Sequence, residues 1–230
     1  MGSLEKTGKF DLHLHSKYSA DALPGPESIV KEALCKRLKG FAMTDHNSVA
    51  GFAELKKLQK QEKGLLIVRG EEVKICENGK CTGELLCYFL QEKIKPAGFG
   101  EVLDAAREQD ALISIAHPFD FGRKPFCGGL EKAAQKVDAV EVFNARSYSA
   151  RANELAKEFA EKQKLAFTAG SDAHSLAEIG NAGIECDARN EEELRKAILK
   201  RKCKVFGKER ASRLGQSACS LKARIGFKES

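Results

Sequence analysis

Short apolar runs alternate with longer amphipathic stretches along almost the whole chain, and no long linker interrupts them. "KFDLHLH" reads as a strand, and "ESIVKEALCKRLK" as a helix with Pro26 at its start and Gly40 closing it. "GFAMTDH" is the next strand, and "SVAGFAELKKLQKQEK" the next helix, stopped by Gly64. "LLIVRGEEVKI" is turned by "ENGK" into "GELLCYFL", a hairpin. "GEVLDAAREQD" is a helix and "ALISIAHP" a buried strand ended by Pro118. A Gly-rich loop and a short helix then lead to the strand "VDAVEVFNA", a helix from Ser149 to Gln163, the strand "LAFTAGSDAH" and the helix "NEEELRKAILKRK". Repeated strand–helix alternation predicts one α/β domain with a mostly parallel sheet or barrel. No G-x-G-x-x-G follows the first strand and no G-x-x-x-x-G-K-[ST] occurs, which disfavours a dinucleotide-binding domain or a P-loop.

The polar residues fall in a pattern that a core alone does not need. All five histidines lie at or just past the end of an expected strand: His13 and His15, His46, His117 and His174. Glu72 and Glu141 also sit late in strands. In parallel α/β barrels the strand C-termini converge on one face, which carries the active site. Residues two apart on a strand project to the same side, so His13 and His15 can form a bidentate metal clamp. Asp172 and His174 repeat that spacing with one carboxylate. A lone H-x-H is more often a pair of ordinary histidines; three further histidines at strand ends reverse that preference. Four His-bearing segments with carboxylates offer more ligands than one zinc uses, which implies two or three divalent ions.

The ordered set "DLHLHS", "TDHNS", "GEEV", "AHP" and "GSDAH" resembles the polymerase and histidinol phosphatase (PHP) family, from about Phe10 to about Phe206. The resemblance implies a distorted seven-stranded (β/α)7 barrel with a metal cluster at the strand C-termini. It also implies phosphoester hydrolysis with manganese, zinc or iron. By the same resemblance, His13, His15 and Asp172 hold a first metal, and Asp21, His46 and His174 a second. His117 holds a third, to which Glu72 bridges. Glu84, in "GELL", stands where many relatives have a histidine; an oxygen ligand there favours manganese or iron, and leaves two metals or three open. Asp21, in a loop, is a ligand or a turn residue.

Further residues are candidates with weaker warrants. Glu71 competes with Glu72 for the inward position, and the family pattern selects Glu72. Asp11 and Asp45 are expected to orient neighbouring imidazoles as acceptors, while Glu141 and Asn144 serve as such acceptors, as substrate contacts or in purely structural roles. Arg146, Lys17, Arg123 and Lys124 are candidates for gripping phosphate, or solvated cations. Tyr18 packs on substrate or staples its loop. A water bridging two cations has its pKa lowered toward neutrality and supplies hydroxide to attack phosphorus; His174 or a metal-bound water protonates the leaving oxygen.

The expected activity is therefore that of a metal-dependent phosphoesterase acting on a small phosphorylated metabolite or nucleotide, as a monoester or a diester. Histidinol phosphate is not favoured. Only about 45 residues separate Glu72 from His117, so an insertion over the pocket is minimal and the mouth is open. The alternatives are an exonuclease-like hydrolase of nucleic-acid ends, a catalytically silent PHP binding module and a carbon–nitrogen metallohydrolase. Charge bears on the exonuclease-like alternative: from Arg195 to Ser230 there are 12 Lys/Arg against 2 Glu, whereas the first 194 residues carry 27 against 31 Asp/Glu. Residues 208–230 are thus a basic tail, either solvated or in contact with a polyanion such as nucleic acid. Residues 1–8 are expected to be disordered and 9–207 to form the catalytic domain. With no run near the ~20 apolar residues of a membrane span and no signal-peptide core, membrane contact is not expected and the location is cytoplasmic. Eight scattered cysteines without a C-x-x-C pair argue for reduced thiols, although Cys76 and Cys81 flank the "ENGK" turn that could bring them together.

Overall fold

The computed structural model describes residues 7–121, 123, 126 and 129–208. The basic tail beyond Lys208, Lys124 and the first six residues lie outside the described residues. The first strand, β1 (Gly8–Leu14), takes in Gly8 and is followed by α1 (Pro26–Cys35), β2 (Gly40–Met43), α2 (Phe52–Gln61) and the long β3 (Leu66–Glu77). Then come β4 (Lys80–Tyr88), α3 (Phe99–Glu108), β5 (Leu112–Ile115), α4 (Leu130–Ala134) and β6 (Ala139–Asn144). α5 (Ala150–Gln163), β7 (Ala166–Gly170), β8 (Ala182–Cys186), α6 (Glu191–Leu199) and β9 (Lys204–Gly207) complete the order. Ser149 and Asn190 cap α5 and α6 by accepting from Ala152 N and Glu193 N. Among the described residues no helix is long and apolar enough to cross a membrane.

The strands form one sheet in the order β7-β6-β5-β4-β3-β2-β1-β8-β9. Seven of them, β1 to β7, curl into a nearly closed, distorted barrel. The seam joins the end of β7 to β1: Asp172 N donates to His13 O at 2.7 Å, and His15 N to Ala173 O at 3.0 Å. Gly170 permits this approach, because a Cβ there would lie 2.3 Å from the Cβ of His13. The sheet is less parallel than the alternation predicts. β4 enters by hairpin and is antiparallel to both β3 and β5, and the edge strands β8 and β9 are antiparallel as well.

Alternation along the barrel strands divides their side chains between two environments. One set packs outward under the helices, as Val73, Ile75, Leu85, Ile113, Val140 and Val142 do around α3 and α5. The other fills the interior with Phe10, Leu12, Leu86, Tyr88 and Leu112. Above that layer, at the strand C-termini, the interior turns polar.

Candidate metal centre

His13, on β1, and His15, just past it, direct their Nε2 atoms to within 3.1 Å of each other. Glu72 Oε2 lies 3.4 Å from both nitrogens. Asp172 Oδ1 lies 3.2 Å from the His15 nitrogen and 3.8 Å from that of His13. Four donor atoms around a tetrahedral ion with bonds near 2.0–2.1 Å would stand roughly 3.3–3.4 Å apart. The five separations, 3.1 to 3.8 Å, bracket that spacing, with His13–Asp172 the longest. Asp172 Oδ1 is buried and receives no well-aligned hydrogen bond, a costly state for a carboxylate oxygen unless a cation satisfies it. The donor set therefore fits a divalent ion.

Two further groups of donors adjoin this one. Asp21 Oδ2 lies 3.6 Å from His46 Nε2 and 3.4 Å from His174 Nε2. On the other side, His117 Nε2 is 2.9 Å from Glu72 Oε1 and 3.6 Å from Glu84 Oε2. His46, from the second group, also turns Nδ1 toward Glu72 Oε2 at 2.8 Å, so Glu72 touches all three groups. All nine candidate ligands thus form one connected cluster of side chains, and the residue groupings expected from the family pattern are neighbours in space.

The imidazoles are oriented from behind. Glu141 Oε1 sits 2.8 Å from His13 Nδ1, and its Oε2 accepts from His117 N and Asn144 Nδ2. His174 Nδ1 lies 2.9 Å from the Asp172 carbonyl, which can only accept, so Nδ1 carries the hydrogen and Nε2 faces Asp21. Ser19 Oγ contacts His15 Nδ1 at 3.2 Å and donates to Asp45 at 2.9 Å. Asp45 reaches His15 only through that serine and binds Ser16 directly. Asp11 touches no imidazole: it accepts from the backbone N–H groups of His13, Ser171 and Gly180, fastening β1 to the segment after β7. Of the two aspartates expected to orient imidazoles as acceptors, Asp45 does so only through Ser19, and Asp11 instead takes backbone donors that lie nearer. Glu71 points to the outside of the barrel and accepts from Ile94 N at 2.8 Å.

Charge and backbone both register the crowding. Burial disfavours a charged His13, but the carboxylates of Asp172, Glu141 and Glu72 outweigh it and hold that imidazole well above its usual range. Burial, with His174 and His46 nearby, holds His15 well below. Asp172 stays well below the carboxylate range despite burial, drawn down by Arg123 and His13. Burial and the charge of Glu72 push Glu84 up. Two of the candidate ligands adopt positive φ without being glycine, His117 at 25° and Asp172 at 53°. Such residues cluster at functional sites, where the surroundings hold the chain against the strain.

The cavity has a volume of about 300 Å³ and is lined by Asp21, His46, Glu84, Asp172 and His174 together with the cations Lys74, Arg123 and Arg146. Arg123 pairs with Asp172 Oδ2 and Asp120. Lys17 does not line this cavity; it lies 4.0 Å from Glu54 and 5.3 Å from the ring centre of Tyr18, whose hydroxyl bonds Glu54. Lys74, Tyr148 and Cys81 also line the cavity. The sequence carries no mark for Lys74 and Cys81, because β3 and β4 run on past the barrel rim; Tyr148 comes from the loop between β6 and α5. Glu178 escapes notice too, although it accepts from His174 N and Ser175 Oγ and so fixes the turn bearing His174.

A PHP-associated family model matches residues 150–203. An uncharacterized protein of Methanocaldococcus jannaschii is 36% identical over 189 residues, covering 79% of this chain and 72% of its own length. A solved structure from Bacteroides vulgatus, described as a two-domain protein containing a predicted PHP-like metal-dependent phosphoesterase, superposes with a TM-score of 0.73. That match covers 95% of this chain and 70% of the other, at 19% identity. The chain belongs to the PHP family. Its distorted barrel, with the donors at the strand C-termini, is the PHP fold. An amidohydrolase from Chromobacterium violaceum, solved with bound sulfate and no metal, shares that fold at a TM-score of 0.62 and 14% identity, with 86% of this chain and 97% of the other covered.

Proposed function

We propose that this PHP protein is a metal-dependent phosphoesterase that hydrolyses a small phosphorylated metabolite or nucleotide. The observation that carries the reading is the His13–His15–Glu72–Asp172 set, whose donor atoms have the spacing of a metal site and which adjoins, through Asp172, a cavity lined by Arg123 and Arg146. Names of structural neighbours, one a phosphoesterase and one an amidohydrolase, agree with a hydrolase.

Two or three divalent ions, manganese, zinc or iron, would be held by the three donor groups, and would supply Lewis acidity and a water of lowered pKa. The protein's own part is placement. Arg146, Arg123 and Lys74 grip the non-bridging oxygens of the ester from the cavity wall. Glu141 fixes the tautomer of His13, so that its Nε2 lone pair faces the donor group. His174 has its Nδ1 hydrogen committed to the Asp172 carbonyl. That favours the role of ligand through Nε2 over the role of proton donor to the leaving oxygen.

The test is elemental analysis of purified protein together with turnover of p-nitrophenyl phosphate and its bis-ester in added manganese. Bound transition metal with turnover of at least one ester is the expected result. Metal-loaded protein inert toward both esters would leave a binding module, and absence of metal would end the reading. The neighbour named as an amidohydrolase supports a second reading, hydrolysis of a carbon–nitrogen bond. N-acyl substrates would then be turned over and the aryl phosphates would not.

A further inference from the structure

Past the barrel rim, β3 and β4 continue as a two-stranded ribbon. Glu77 pairs with Lys80 across Asn78 and Gly79, which adopt φ of 51° and 73°. Positive φ at both central residues is the turn that matches strand twist. One step down the ribbon, Cys76 is the register partner of Cys81. Their sulfurs stand 2.8 Å apart, closer than the roughly 3.5–4.0 Å of ordinary non-bonded contact. Residues directly opposed on antiparallel strands have Cα atoms about 4.5–5.5 Å apart, inside the about 4.4–6.8 Å range of disulfides. Both thiols are partly exposed, and Cys81 also lines the cavity that holds His46, Glu84 and Asp172.

From this juxtaposition we propose that Cys76 and Cys81 are a reversible disulfide site on the rim of the metal cavity. A low-molecular-weight disulfide of the glutathione class is the oxidant. The thiolate of Cys81 attacks one sulfur of that disulfide and expels the other as a thiol, leaving a mixed disulfide on Cys81. The thiolate of Cys76 then attacks the Cys81 sulfur and expels the second thiol. In sum, two protein thiols and one small disulfide become one protein disulfide and two small thiols. The bond stays reducible for a physical reason: it closes only a two-residue turn and its flanking pair, so it gains little from loop entropy, and its sulfurs are within reach of attacking thiols. In the reduced state the cavity wall presents the Cys81 thiol. In the oxidised state that thiol is consumed, and β3 and β4 are tied together a short way beyond Lys74 and Glu84.

The site is independent of the phosphoesterase reading, and its test requires no activity. The full chain is equilibrated in glutathione buffers from reduced to oxidised, quenched in acid, alkylated, digested and mapped by mass spectrometry. Two free thiols should be lost per chain. Cys76 and Cys81 should appear in a single species lighter by two hydrogens and restored by dithiothreitol. In Cys76→Ser, Cys81 should keep a glutathione adduct in the same buffers, since nothing resolves it. Alkylation of both cysteines at every poise would overturn the proposal. So would a bridge between Cys186 and Cys203 in its place, or a glutathione adduct that persists on Cys81 of the unaltered chain.

Discussion

Glu141 lies 2.8 Å from Nδ1 of His13 and accepts, through its other oxygen, the backbone N–H of His117. One buried carboxylate thereby aims a side chain on β1 and pins the chain just past β5. Glu141→Gln keeps the shape but turns an obligate acceptor into an amide that need not fix the tautomer. Losing such a contact costs metal affinity by roughly 10–100-fold. Calorimetric titration of the metal-stripped variant with manganese should show that loss while circular dichroism stays unchanged. Full affinity would remove Glu141 from the site.

His15→Ala and Asp172→Ala each delete one corner of the first donor group. Each should reduce the metal retained per chain and abolish phosphoester turnover, with the far-ultraviolet spectrum preserved. Elemental analysis beside gel filtration checks this. Wild-type metal content in either variant would refute the assignment.

Stability should respond to pH through Glu71, which burial pushes up to about 7. In the unfolded chain this carboxyl titrates near the ordinary 4.5 of a glutamate, so between the two values the native state binds the proton more tightly. Its contribution to stability is complete below about 4.5 and is lost as pH rises toward 7. Each pKa unit corresponds to about 1.4 kcal/mol. Glu71→Gln retains the acceptor for Ile94 N and removes the titration. Thermal unfolding of chelator-treated protein should coincide for the two chains at pH 4.5 and favour the variant above pH 7. A constant difference across that range would contradict the assignment.

The same substitution should act oppositely at two glycines. Gly170→Ala places a methyl against His13 at the seam of the barrel and should cost about 1–3 kcal/mol or more. Gly100, near the start of α3, has open space around it and should gain about 0.4–1 kcal/mol as alanine. Denaturant melts of the two variants supply the comparison.

The clustering of histidines was legible because period-two strands ending at one face leave few ways to place five such residues apart. The "ENGK" hairpin was legible because Asn-Gly suits a two-residue turn. β8 and β9 were not. "AGIEC" and "KVFG" are short and lack an alternating pattern, and they are held by pairing with β1 and with each other. The partners of Asp11 and Asp45 were hidden as well, since adjacency to a histidine in sequence does not say which N–H groups the fold brings nearer. Lys74 shows a third limit: a strand that overruns its barrel carries residues into the cavity mouth with no local sign.

Because β7 closes onto β1, the first and last donors of the centre come from opposite ends of the barrel sequence. A growing chain leaves the ribosome with His13 and His15 long before Asp172 and His174 exist, at about 5–20 residues per second. For several seconds the early histidines have only each other and whatever ions surround them. Full affinity for metal is therefore expected only after the last barrel strand has docked. Any ion held in the centre would then be selected by the closed barrel, not by the order in which its ligands are synthesised.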